Sequence, residues 1–364
     1  MSKAVPERIL SIDVFRGFTM FLLIGEFTGF MGLLLDDGLQ GSFLYALGEQ
    51  FHHHSWNGLH FWDLIQPFFM FIVGLSLPFG VYNRQKKGHS KRQIFKHVLK
   101  RSIILLFLGW ALYCIPAGEI TFYFQNVLAQ IGVTYLIAYL IIDKSTVFQI
   151  SFSVGLLVLT EVIYRFFPVE GFDQPFVFMK NFGTWLDMQY GGASNGGWAA
   201  FNAIPTAAHT IWGVLVGKLL MGSEESMRKL KIMVLFGTAM VIGGYLLDPV
   251  IPIIKRIATS SFVVVSGGWS ILGIALFYGL IDILKLKRKY TWFFSIVGMN
   301  SLFIYLFSHV GGAKLVERVL FPFSNAILTP FGDLAAQILT SFCVWISLWG
   351  ICYWMYKKRL FIKI

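Results

Sequence analysis

His52, His53, His54, Ser55, Trp56 and Asn57 stand side by side and lead straight into an apolar stretch that reaches Gly74. An imidazole titrates near physiological pH, so it can deprotonate an attacking amine or hydroxyl, and it can also accept an acyl group itself. Three adjacent histidines on a helix cannot all face one metal ion. The pattern therefore favours a single catalytic imidazole with helpers, and no metal. Trp56 and Asn57 would then place a substrate or hold the ring. Asp63 and Gln66 continue the polar series inside the apolar run. An ionisable side chain in such a run is expensive and marks a functional site by default.

Other polar residues interrupt apolar runs elsewhere. Glu26 lies in the first run and could serve as a base, an ammonium anchor or a structural hydrogen-bonding group. Asp13 and Arg16, in SIDVFRG, are three apart and share a helical face, so they can pair; alternatively the Arg16 fork reaches a phosphate. In GMNSLFIYLFSH, Asn300 and His309 are separated by about 13 Å of helix, which puts Asn300 nearer mid-membrane and His309 nearer the outer edge. Asn202, His209, Gln125, Asn126 and Gln130 add to the set. Each alone could be glue between helices; together they exceed what packing requires.

The elements that must position these groups are apolar. The chain has 364 residues, 56% hydrophobic and 13% charged, with a mean hydropathy of +0.67. Soluble proteins carry about a quarter charged residues. Apolar runs at 14–35, 60–82, 99–115, 126–143, 147–167, 199–221, 230–248, 262–283, 291–310 and 335–356 have the length of membrane spans and do not alternate as barrel strands would. The expected fold is an all-α, polytopic integral membrane protein with about ten transmembrane helices, forming one domain over 1–364. The first run lacks a small-residue cleavage site and reads as a span. Cys114, Cys343 and Cys352 lie in or beside apolar runs and read as packing.

The net charge of +11 follows the membrane, so it does not point to nucleic acid. Alternate connecting segments carry 23 basic residues on one side, including the run from Arg84 to Arg101, and six on the other, with Arg16 inside a span. The positive-inside rule places both termini in the cytoplasm. Most such clusters are topology signals; an anionic ligand is a minority use for any one of them. Segments 36–59, 116–125, 168–198, 249–261 and 311–334 then lie outside and carry carboxylates beside aromatics, a combination that suits a cationic sugar. The longest, 168–198, contains GGASNGG and reads as a lid or a flexible connection.

SIDVFRG (11–17), HHHSWNGLHFWDLIQPFFMFIVG (52–74), QNVLAQIGVTYLIAYL (125–140), NAIPTAAHTIWGVLVGKLL (202–220), GMNSLFIYLFSH (298–309) and the terminal KKRLFIKI together resemble the heparan-α-glucosaminide N-acetyltransferase family of transmembrane acyltransferases. The resemblance covers nearly the whole chain and is most specific at SWNGL with its upstream histidine and at GMNS. It implies acetyl transfer from cytoplasmic acetyl-CoA, as co-substrate, to the amine of a terminal glucosamine outside. The setting would be an inner (plasma) membrane, and the chain a bacterial-type member without the animal enzyme's lumenal domain. Eleven spans are usual in the family. Its active histidine lies two residues before Ser-Trp-Asn-Gly, which is His53 here; its asparagine near the outer part of the first span is matched by Glu26, a departure. The roles expected on this reading are catalysis by His53, Glu26 and Asn57. Arg16, Lys100, Arg101 and Asn300 would hold the cofactor, and Trp56, Asp63 and His309 the sugar. The partners would be an amino sugar, acetyl-CoA, membrane lipid and, as such enzymes allow, a second copy in a homodimer. An O-acyltransferase of an envelope glycan and an amino-sugar transporter are the rival readings.

Overall fold

The computed structural model describes residues 9–286 and 288–362; Lys3, Arg8, Lys287, Lys363 and Ile364 lie outside the described residues. The first helices are α1 (Leu10–Glu26), α2 (Phe30–Leu33), α3 (Phe43–Gln50), α4 (Ile65–Lys86) and α5 (Lys91–Ala117). There follow α6 (Val127–Leu140), α7 (Thr146–Arg165), α8 (Phe182–Tyr190), α9 (Ala207–Met221) and α10 (Ser226–Leu247). The series closes with α11 (Ser260–Tyr278), α12 (Arg288–Met299), α13 (Ser301–Phe307), α14 (Ala313–Leu328) and α15 (Asp333–Lys357). Among the described residues there is no strand. Contacts sort the chain into two units: one holds residues up to Ile12, 54–59 and 66–283, and the other holds 13–53, 60–65 and 284–364.

In the first unit, short polar side chains start the helices. Ser90 accepts from the Gln93 amide while Gln93 Oε1 accepts from the Ser90 amide, a capping box on α5. Asn126 caps α6 through the Leu128 amide, and the Asp282 carboxylate takes the first amides of α1, Leu10 and Ser11. Basic residues close helices. Lys218 Nζ donates to Ile142 O just past α6, and Lys229 Nζ donates to Leu220 O (3.0 Å) and Gly222 O (2.7 Å) at the end of α9. Both lysines belong to the basic-rich segments that the sequence assigns to one side. Where α4 meets α9, a Cβ on Gly74 would lie 1.9 Å from Thr210 O, and one on Gly213 would lie 2.1 Å from Phe71 O. Only glycine permits that approach, which buries Met70, Phe71, Leu75, Ala207, Ile211 and Val214. α10 shows the opposite face: Leu235, Phe236, Ile242 and Leu246 are exposed, a surface that suits lipid and not water.

In the second unit, tryptophans pack and find acceptors together. Trp345 stacks on Phe21 at 4.6 Å and its Nε1 donates to Phe21 O; Trp349 stacks on Phe293 at 4.8 Å and donates to Phe293 O. The 291–310 run is broken: Thr291–Met299 and Ser301–Phe331 bend by 72° around Asn300.

Among the described residues, seven helices are long and apolar enough to cross a bilayer, eight if the bent pair counts as one span. Two of the ten expected spans are shorter. α6 has 14 residues, a length of about 21 Å against a hydrocarbon core of about 30 Å. α1 has 17 residues and stops at Glu26, because Gly29 takes a left-handed turn (φ 73°). Segment 311–334, expected as an outer loop, contains α14. Its exposed Leu315, Val319, Phe323 and Ile327 recur every four residues between Lys314, Glu317, Arg318 and Asn325. That pattern is helical, but its charges keep it below the hydropathy of a span.

Candidate active site

The histidines separate by what their rings touch. In the second unit, His53 Nδ1 lies 2.9 Å from Asp63 Oδ1, and Asp63 Oδ2 accepts the His60 amide at 2.9 Å. Asp63 is 1% exposed, whereas the His53 side chain is 30% exposed. With Asp63 ionised, the carboxylate can only accept, which puts the proton on Nδ1 and makes Nε2 the basic nitrogen, the tautomer needed for a base or nucleophile. His52 Nδ1 and His60 Nδ1 face backbone carbonyls, Gly48 O and His52 O, each at 3.0 Å. They brace the turn that carries His53. The local fold follows from the 3₁₀ turn Phe61–Leu64, where Asp63 stands at the third position and folds back onto the amide of the capping residue His60. Asp63, expected to meet the sugar, is buried with one carboxylate oxygen on the imidazole and the other on the His60 amide, as that capping geometry requires.

The neighbouring stretch, 54–59, belongs to the first unit. A Cβ on Gly58 (φ 143°) would lie 2.5 Å from the His54 ring, so the glycine of SWNG is required by the imidazole folded over it. Gly58 N donates to Ile253 O at 2.9 Å. Trp56 Nε1 donates to Phe176 O at 2.7 Å, with its ring edge-on to Phe178. Asn57 is exposed on the same turn. Farther along, amides and a carboxylate form a chain: Gln66 to Gln130, Gln130 Nε2 to Gln125 O (3.0 Å), and Gln125 Nε2 to Asp187 Oδ2 (2.9 Å). Asp187 also takes the Ala200 amide. Burial raises its pKa, and the bonds from Gln125 and Ala200 oppose that rise. Sequence reasoning counted Asp187 among outer carboxylates open to a cationic sugar; its side chain is spent within the fold.

The other expected site residues fall as follows. Glu26 is exposed at the last position of α1. Arg16 pairs with Asp13 at 3.6 Å, the helical-face alternative. Lys100 is exposed on α5, and the Arg101 guanidinium lies 5.0 Å from the Tyr135 ring centroid. Asn300, expected at the cofactor, is 0% exposed and clamps the tail: its Nδ2 donates to Leu360 O at 3.0 Å and its Oδ1 accepts from Ile362 N at 3.2 Å. The break in the span leaves that amide facing the returning backbone. His309 sits in a π-helical turn with its ring against Phe27 and Tyr305.

No protein-family model matches the chain. The human protein named heparan-alpha-glucosaminide N-acetyltransferase is 32% identical over 139 residues, and the mouse protein of the same name 29% over 140. Each alignment covers 37% of this chain and 19% of the relative, so the chain spans about a fifth of the length of the curated relatives it matches. Over that stretch, more than a third of its length, this chain of long apolar helices is similar to the heparan-alpha-glucosaminide N-acetyltransferases.

Proposed function

We propose that this protein is a multi-pass N-acetyltransferase of an inner membrane. It would move acetyl from cytoplasmic acetyl-CoA to the amine of a glucosamine-type sugar on the outer face. Both termini would be cytoplasmic, with His53 as base or acetyl carrier. The observation that carries this reading is the His53–Asp63 pair, a partly exposed imidazole held by a buried carboxylate. Asp63 is then a positioning residue: it fixes the tautomer and stabilises the imidazolium when Nε2 takes a proton. In direct transfer, the amine nitrogen bonds the acetyl carbon, its proton passes to Nε2, the C–S bond breaks, and the proton leaves with the CoA thiol. In the two-step form, Nε2 bonds the acetyl carbon first and CoA departs; the amine then takes the acetyl group and gives up a proton. Lys100 and Arg101 would supply positive charge for the CoA phosphates, and Trp56 a ring for the sugar. The relatives' printed name supports the acetyl and glucosaminide parts.

The test is transfer of labelled acetyl from acetyl-CoA to glucosamine by protein in vesicles. We expect label in N-acetylglucosamine with wild type and none above background with His53→Ala. Neither CoA binding nor transfer would remove the acyltransferase reading and favour transport, which predicts sugar uptake without acetyl-CoA.

A further inference from the structure

The turn after α15 has arginine where glycine is expected. Arg359 stands at φ 55°, the left-handed conformation that glycine adopts most readily. Around it the backbone closes the helix: Arg359 N donates to Tyr356 O (3.1 Å) and Leu360 N to Met355 O (2.9 Å). These bonds make a Schellman motif, with Arg359 in glycine's usual place. Beyond the turn, the Asn300 side chain holds Leu360 O and Ile362 N. Lys357, Lys358 and Arg359 are therefore carried on a fixed corner and not on a fraying end. Lys357 Nζ lies 5.4 Å from the Tyr353 ring centroid, and Tyr353 stacks on Trp349 at 5.5 Å and 7°. Trp349, Tyr353 and Lys357 recur every four residues and share one face of α15; Trp354 and Lys358 share another. The three cations are exposed and make no ion pair among the described residues. Residues 334–364 contain no Asp or Glu.

A basic run that only sets topology needs charge. It needs no fixed backbone, and glycine would close this turn with less strain. Strain that persists at one residue points to a use for its side chain. The same corner puts the exposed apolar residues Trp354, Leu360, Phe361 and Ile362 beside the three cations. Water suits the cations and not the apolar set; hydrocarbon suits the apolar set and not the cations. The headgroup layer of a bilayer suits both. We propose that Lys357, Lys358 and Arg359 form a site for an anionic phospholipid of the leaflet that this end of α15 meets. The phosphate ester takes Arg359 and Lys358, and the Trp354 indole lies at headgroup depth one helical turn farther in. Lys357, steered by Tyr353, adds charge at the flank. All of these residues belong to the second unit, and the site is independent of the acetyl chemistry.

The experiment measures binding of phosphatidylglycerol and of phosphatidylcholine with the same acyl chains to the whole protein in a neutral detergent, by native mass spectrometry. Each cation near a membrane surface contributes about fivefold to affinity for an anionic lipid. Wild type is expected to bind phosphatidylglycerol more tightly than phosphatidylcholine by about 25-fold or more. The double variant Lys358→Gln, Arg359→Gln should remove most of that preference and leave phosphatidylcholine binding unchanged. Lys86→Gln with Lys87→Gln removes two exposed cations from the end of α4 and should leave both affinities as they are. Arg359→Gly separates a lost lipid contact from a damaged fold. Glycine relieves the left-handed turn, so the melting temperature in detergent should hold or rise while phosphatidylglycerol affinity falls about fivefold. A lower melting temperature with unchanged affinity would assign Arg359 to folding and overturn the proposal. Equal affinities for the two lipids in wild type overturn it, as does a preference that survives the double glutamine variant or disappears with Lys86 and Lys87. Displacement of phosphatidylglycerol by adenosine 3′,5′-bisphosphate also overturns it, since the corner would then serve a nucleotide.

Discussion

His53 stands in a loop that leads into an apolar helix and His209 inside the apolar helix α9, and both rings have oxygen partners. His53 lies in the second unit with Nδ1 on the Asp63 carboxylate and its side chain 30% exposed. His209 lies in the first unit, 0% exposed, with Nε2 at 2.9 Å from Ser266 Oγ and 3.0 Å from Val263 O. A ring sealed among helices and bonded to neutral oxygens joins those helices. A ring at a surface and oriented by a carboxylate can exchange a proton with something that arrives. Residue type does not separate these two; the charge of the partner and access do.

That contrast can be broken at either end. The largest effect is expected from His53→Ala, with loss of about 10⁴-fold or more in kcat for acetyl transfer and an unchanged melting temperature. Retention of transfer would move the chemistry elsewhere. Asp63→Asn should follow, at about 100-fold, because an amide can hold the ring in the wrong tautomer. The loss should lie in kcat and move the acid limb of the pH–rate profile to lower pH, because the imidazolium loses its carboxylate, which a merely structural change would not do. His209→Ala should reverse the pattern, lowering unfolding free energy by about 1–2 kcal/mol while kcat stays within about threefold. Thermal melts in detergent and initial rates on the same samples decide it.

The smallest effect concerns the second buried carboxylate. Asp187 has a raised pKa from burial, so the folded protein binds its proton more tightly than the unfolded chain does. That stabilisation is full below the ordinary carboxylate value and is lost as pH rises through the folded pKa. The melting temperature of wild type should therefore gain on that of Asp187→Asn as pH falls from 7 towards 4. A gap that is flat, or that widens the other way, would mean that Gln125 and Ala200 outweigh burial.

Much of this was legible in the sequence. Apolar runs marked most long helices, and the polar series at 52–57 marked the loop that carries His53. The partnership with Asp63 was not, because a ten-residue separation across a turn matches no helical period; the acidic third position of a short cap was the available sign. Hydropathy also passed over α14, whose Lys314, Glu317 and Arg318 dilute its apolar stripe, and it treated Lys218 and Lys229 as address labels when they also close helix ends. Average apolarity reports where a segment is comfortable. It does not report which carbonyl a lysine reaches or which amide the tail will cover.

The clamp at Asn300 has a consequence for the order of synthesis. Its partners, Leu360 and Ile362, lie about sixty residues downstream. While the ribosome is still making α15, the amide in the broken span cannot yet hold them. The final fastening of that break must wait until residues 360–362 have left the exit tunnel.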